Sequence, residues 1–210
     1  MKLLLTSCGW EYNKNIAREF LRLAGKKPTD IKIFLVTTAR KKDRDWKWVG
    51  RQIKMITAIG ILKENIRVFS LDRKIKKNEL ADADVIYVCG GNTFLYLDGI
   101  RKTGLDKEIT RAVKRGYLYY GISAGSIVAG PDIAFIAPLD DPSVVRSLST
   151  IKLTHVKGLD LTNVAVAPHY NKKEYISIID GFQAKSKFPI MPLTDKQALE
   201  IVGRKKKIIE

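Results

Sequence analysis

Three short stretches carry residues able to do chemistry, and the first is Gly121-Ile122-Ser123-Ala124-Gly125. It matches G-x-S-x-G where an apolar run, Leu118 to Tyr120, gives way to a helical segment, the setting of a nucleophile elbow. There a serine sits on a strained, exposed turn. Glycines two residues before and after it let backbone segments approach without Cβ clashes. The helix beginning at Ala124 would aim free N–H groups and the positive end of its dipole at an oxygen that gains charge. A plain Gly/Ser turn with Ser123 as N-cap fits the same five residues.

The second stretch, Gly90-Gly91-Asn92-Thr93, follows another apolar run, Val85 to Cys89, at the carboxyl end where open α/β sheets place ligands. The N–H groups of Gly91 and Ala124 could then form an oxyanion hole, with Asn92 beside them as a substrate contact. A flexible strand-to-helix turn is the alternative. The third stretch is Pro168-His169-Tyr170, after the run Val164 to Ala167. A serine nucleophile needs a base, and of the 2 histidines in the chain, His155 lies in a lysine-flanked segment while His169 stands at a strand end. His169 is therefore the expected base.

The elements that must hold these residues alternate between β-rich apolar runs and helical periodicity, the pattern of a parallel sheet covered by helices. Leu3 to Thr6 reads as a strand, followed by a helix with Ile16, Phe20, Leu21 and Ala24 on one stripe and Gly25 as its stop. Ile31 to Val36 is a second strand, and Val49, Ile53 and Ile56 mark a helix ending near Gly60. Ile66 to Phe69 and Val85 to Cys89 follow as strands, then a short helix and another carrying Ile109, Ala112 and Val113. Leu118 to Tyr120 completes this series. Beyond the elbow, the pattern predicts a short strand at Ile133 to Ile136, a Pro/Asp/Ser-rich loop from Pro138 to Ser149, and a strand over Val164 to Ala167. A helix from Tyr175 to Phe182 and a terminal hairpin around Gly203-Arg204 close the chain.

At 210 residues with 45% hydrophobic and 29% charged positions, the chain reads as one globular domain spanning 1–210. Cys8 and Cys89 match no zinc-site spacing, so no metal or cofactor is expected. Two free thiols suggest a reducing, cytoplasmic compartment. No apolar stretch is long enough to span a membrane. The 38 Lys+Arg against 22 Asp+Glu, a net +16, would concentrate anionic partners. The densest groups, such as Arg73 to Lys77 and Arg204 to Lys207, lie in loops and turns and read as solvated surface. Nucleic acid is not the expected partner, and no oligomeric state is implied.

Together, Gly90-Gly91-Asn92-Thr93-Phe94, Val113-Lys114-Arg115-Gly116 with Tyr119-Tyr120-Gly121-Ile122-Ser123-Ala124-Gly125, and Pro168-His169-Tyr170 resemble the peptidase E group of serine peptidases. These are aspartyl dipeptidases, related to cyanophycinase. The resemblance implies a class I glutamine amidotransferase-like fold: an α/β three-layer sandwich with a mostly parallel central sheet and helices on both faces. It implies Ser123 as nucleophile, His169 as base, and Gly91 with Ala124 as the oxyanion donors. It also places an acid between the serine and the histidine. Asp132, Asp140, Asp141 and Asp160 qualify by order, and Asp140 is the choice, with Asp141 as the alternative. The implied substrate is a small peptide, of which a dipeptide with N-terminal Asp is one form, although no cation that would read the aspartyl side chain can be matched.

Two other classes share part of this pattern. An esterase-type α/β-hydrolase has G-x-S-x-G and the order Ser, Asp, His, but usually keeps its histidine nearer the end of the chain than His169 is. A non-catalytic module could use the basic surface to hold an anionic partner, with Ser123 as a relic.

Overall fold

Strand β1 (Lys2–Thr6) has its three leucines fully buried, because it lies inside a sheet covered on both faces. This computed structural model describes residues 1–38, 43–139, 156–184 and 186–210, with the side chains of 43–46 left aside. Helix α1 (Lys14–Ala24) buries Ile16, Phe20 and Leu23 on one stripe. Asn13 caps its start by accepting the Asn15 N–H, and Gly25, at φ 70°, ends it by donating to the Leu21 carbonyl. Next come β2 (Ile33–Thr37), α2 (Asp43–Thr57), β3 (Ile66–Ser70) and β4 (Val85–Val88). They are followed by α3 (Thr93–Thr103), α4 (Leu105–Lys114), β5 (Leu118–Ile122) and the single helical turn α5 (Ala124–Ile127).

The main sheet has seven strands in the order β3-β2-β4-β5-β1-β8-β9, where β8 is Ala198–Val202 and β9 is Lys205–Ile209. The pairs β3·β2, β2·β4, β4·β5 and β5·β1 are parallel. The hairpin β8–β9 adds two antiparallel pairings at one edge. From β1 to β2 to β3 the chain moves toward one edge, and from β4 to β5 it moves back. Right-handed crossovers therefore put α1 and α2 on one face and α3 and α4 on the other. The result is the three-layer, class I glutamine amidotransferase-like sandwich with a mostly parallel central sheet.

Trp10, Phe20, Tyr87 and Tyr120 pack as one aromatic cluster beneath α1, with ring centroids 4.8–5.8 Å apart. This cluster anchors the loop after β1, and Trp10 ties it to α2 by donating to the Met55 carbonyl at 3.3 Å.

One stretch differs from the sequence reading, and one strand is added to it. Ile133 to Ile136 is not a strand; Ala134–Ile136 forms one 3-10 turn, because the Asp132 carboxylate accepts the Ala134 N–H and closes the chain locally. The strand before His169, β6 (Ala165–Ala167), does not join the main sheet. It pairs in parallel with β7 (Ile190–Pro192), a three-residue strand too short to carry a periodic signal, across α6 (Lys173–Gln183). No described helix is long and apolar enough to cross a membrane.

The tightest packing is at the turn from β5 into α5. A Cβ on Gly125 would stand 2.2 Å from the Val88 carbonyl oxygen, and one on Gly121 would stand 2.7 Å from the Gly125 backbone. Both contacts are to backbone, which cannot swing aside. The Tyr119 hydroxyl donates to the Gly125 carbonyl at 2.6 Å, and the Ser126 hydroxyl lies 2.8 Å from the carbonyls of both Thr6 and Gly121. The turn is thereby clamped to β1, β4 and β5. Gly125→Ala is expected to lower unfolding free energy by about 3 kcal/mol through overpacking. Gly50→Ala, in open space on α2, should raise it by about 0.5–1 kcal/mol. Urea denaturation of the two variants checks the contrast, and equal stabilities would contradict the clamp.

Candidate active site

The ends of β1, β4, β5 and β6 converge on one crevice. Ser123 follows β5 directly, at φ 49° and ψ −111°, a conformation that L-residues avoid and that costs about 1–3 kcal/mol. It is held there by its own N–H, which donates to the Thr6 carbonyl at 3.0 Å. Its hydroxyl lies 3.0 Å from His169 Nε2.

His169 is also strained, at φ 63°. Its backbone N–H donates to Ser7 Oγ at 2.9 Å, tying it to the end of β1, and Tyr175 meets the imidazole edge-on with centroids 5.5 Å apart. On the other side of the ring, Nδ1 lies 2.6 Å from Asp195 Oδ1. A carboxylate there fixes the tautomer: Nδ1 carries the proton and Nε2 is left free to accept one from Ser123.

Asp195 sits in the loop between β7 and β8 and receives donors from several elements. Ser7 Oγ donates to Oδ1 at 2.9 Å, Cys8 Sγ donates to the same oxygen at 3.1 Å, and Asn171 Nδ2 donates to Oδ2 at 3.1 Å. Burial by itself would push the Asp195 carboxyl up. The hydrogen bonds from Cys8, His169, Asn171 and Ser7 outweigh it and hold the group well below the usual carboxylate range. The Cys8 thiol is pushed up to about 12 by burial, then by its hydrogen bond to Asp195 and that residue's charge; Ser7 and Lys172 act weakly the other way. It is thus a neutral donor to a fixed anion.

A cavity of about 460 Å³ opens beside these groups, with Ser7, Cys8, Ser123, His169, Tyr12, Trp48 and Gln52 among its lining residues. Glu11 and Arg51 share it, joined at 2.9 Å, with the guanidinium 6.0 Å from the Trp48 ring centroid. Gly91 lines the same cavity at φ 152°, where a Cβ would come 2.9 Å from Tyr96. Ala124 opens α5, so its N–H has no acceptor within the helix.

Of the residues singled out in the sequence, Ser123, His169 and Gly91 line this crevice, and Ala124 follows Ser123 as the first residue of α5. Asn92 is used differently: its Oδ1 accepts the Leu95 N–H at 3.0 Å and caps α3, and it does not line the cavity. His155, Asp140 and Asp141 lie outside the described residues. Asp132 closes the 3-10 turn and Asp160 pairs with Lys157 at 3.1 Å, so neither faces His169. The carboxylate on Nδ1 is Asp195, which follows the histidine in the chain, whereas the resemblance implies an acid that precedes it. Its one local sign was a Pro-Leu-Thr-Asp stretch before the last hairpin. Ser7 and Cys8, neither of them a site residue by sequence motif, complete the surroundings of the carboxylate. Among the described residues, Cys8, His169 and Asp195 form the one group with donor atoms close enough to share a metal ion.

The chain matches Peptidase family S51 over residues 3–209. It is 31% identical over 179 residues to the uncharacterized peptidase Lmo0363 of Listeria monocytogenes serovar 1/2a, covering 82% of each chain. Peptidase E of Escherichia coli O1:K1 is 41% identical over 94 residues, which are 43% of this chain and 36% of that one. The crystal structure of a candidate peptidase E protein from Listeria monocytogenes EGD-e superposes with a TM-score of 0.77 at 25% identity, covering 100% of this chain and 98% of that one. These likenesses set aside the esterase-type and non-catalytic readings.

The neutral state of Cys8 can be checked directly. At pH 8 a thiol held near 12 exposes far less thiolate than a free cysteine, so Cys8 should react with an aromatic disulfide reagent roughly 10³-fold more slowly. Asp195→Asn removes the neighbouring charge and should speed that reaction. A native rate equal to that of free cysteine would refute the assignment.

Proposed function

This chain belongs to peptidase family S51, and we propose that it cleaves short peptides through an acyl-enzyme, with Ser123 as nucleophile, His169 as general base and Asp195 as the acid that holds the imidazole. The observation that supports this most is the relay from Ser123 Oγ to His169 Nε2 at 3.0 Å and from Nδ1 to Asp195 at 2.6 Å. Ser123 attacks the peptide carbonyl while Nε2 takes its proton. The N–H groups of Gly91 and Ala124 receive the oxyanion. The imidazolium, stabilised by the ionised Asp195, then protonates the leaving amine. Water enters, gives its proton to Nε2, and releases the acyl group with return of the proton to Ser123.

The cavity volume is near the lower end for ligand sites, which suits a dipeptide. We take the substrate to carry an N-terminal Asp, because Glu11 and Arg51 offer an anion and a cation side by side at the cavity. An aspartyl residue with a free amino group presents the complementary pair: its ammonium meets Glu11 and its β-carboxylate meets Arg51. Arg51 thus supplies the cation that sequence reading could not match.

Three results are expected. Ser123→Ala should lose nearly all turnover and all labelling by a fluorophosphonate. Labelling at Ser126 instead would end the mechanism. Asp195→Asn should lower kcat by roughly 10⁴-fold, as loss of the orienting acid does in serine triads, whereas Asp140→Asn should stay within a few-fold. The reverse pattern would return the acid to Asp140. Arg51→Met should lower kcat/KM for Asp-Leu roughly tenfold while leaving Ala-Leu little changed. A preference for Asp-Leu that survives high salt would mark a local pair rather than steering by the +16 field. No preference at any salt concentration would remove the aspartyl specificity.

A further inference from the structure

The triad requires only Asp195 on the Nδ1 side of His169, yet a second metal-ligating group, the Cys8 thiol, faces the same pair. Its Sγ lies 3.6 Å from Nδ1 and 3.1 Å from Asp195 Oδ1, and Oδ1 lies 2.6 Å from Nδ1. We propose that Cys8, His169 and Asp195 form a binding site for a thiophilic divalent cation such as Zn²⁺, and that its occupation switches the hydrolase off.

The distances suit such an ion. Bonds of about 2.3 Å to sulfur and 2.0–2.2 Å to nitrogen and oxygen place tetrahedral ligands roughly 3.4 Å apart. Two of the three separations are already close to that. The third, now a hydrogen bond, opens by less than about 1 Å when the ion replaces the proton. Cys8 and His169 line the cavity, so an ion can enter from solvent, and a water there can complete the tetrahedron. Thiolate, imidazole and carboxylate together select Zn²⁺ or Co²⁺ over Mg²⁺ and Ca²⁺, which take oxygen ligands. The two anionic ligands balance the ion's charge against nearby Lys172.

The consequence for catalysis follows from proton positions. Coordination expels the thiol proton to solvent, as metals do for bound thiols. It also takes the lone pair of Nδ1, so the imidazole proton moves from Nδ1 to Nε2. In that tautomer Nε2 faces Ser123 as a donor and cannot accept the serine proton. The binding claim stands on the three side chains alone; the switching claim rests on the proposed role of His169 as base.

The test uses untagged full-length protein and Co²⁺ as an optical probe. One equivalent should produce sulfur-to-cobalt charge-transfer absorption in wild type and in Ser123→Ala. The band should vanish in Cys8→Ala and in Cys8→Ser, the latter keeping a hydroxyl donor for Asp195. Its absence from wild type, or its persistence in both Cys8 variants, would overturn the site. Zn²⁺ should suppress dipeptide hydrolysis at least tenfold, reversibly with a chelator. Mg²⁺ should not, and each Cys8 variant, measured against its own metal-free rate, should need roughly 100-fold more Zn²⁺. A cobalt band without loss of hydrolysis would overturn the switch. The band in a protein that hydrolyses no peptide under any condition would support the site and defeat the peptidase mechanism instead.

Discussion

The carboxylate of Asp195 is a charge kept largely out of water, and such a charge is tolerable only when its lone pairs are filled. Filling them recruits Ser7 and Cys8 from the end of β1, and His169 and Asn171 from the loop after β6. Asp195 itself comes from the loop that leads into β8. The antiparallel pairing of β8 with β1 therefore does more than extend the sheet. It brings the loop that joins β7 to β8 beside the residues that follow β1. Losing that charge would leave Ser7, Cys8 and the imidazole without their common acceptor.

Strain is the second thread. Ser123 and His169 both have positive φ, and both are held by the same short stretch of chain: the Thr6 carbonyl accepts the Ser123 N–H, and Ser7 Oγ accepts the His169 N–H. Thr6 and Ser7 are fully buried, the first within a strand flanked by neighbours on both sides. Backbone kept in sparsely populated regions persists only where its surroundings over-determine it. Here β1 and the aromatic cluster around Trp10 supply that rigidity. The glycine at 125 adds to it from the other side, since α5 touches the Val88 carbonyl with no room for a Cβ.

Charge acts at a different scale. The net +16 belongs to the surface, and many of its cations are paired, as in Arg22 with Glu19 and Glu200, Lys26 with Asp84, and Lys102 with Asp98. Exposed pairs of this kind contribute little to stability. At the cavity the balance is local: Arg51 and Glu11 neutralise each other, so a ligand meets a dipolar wall of alternating sign rather than a uniformly positive field. Steering toward the crevice and recognition within it are thus separate effects.

Much of this could be read in the one-dimensional chain. The strand and helix sequence through β5, the stop at Gly25, the elbow around Ser123, the glycine turn at Gly91 and the histidine after β6 all rest on backbone sterics and apolar periodicity. Both act within a window of a few residues. The acid could not be read that way. Ser7 and Asp195 are 188 residues apart in sequence and 2.9 Å apart in space, and a Pro-Leu-Thr-Asp stretch before a terminal hairpin is too common a pattern to separate its aspartate from a surface charge. The capping of α3 by Asn92 and the pairing of β6 with the short β7 were likewise settled by neighbours distant in sequence. Residue type and spacing determine which side chains can react; only the closing of the sheet, which brings β8 beside β1, determines which carboxylate holds the histidine and which thiol lies beside it.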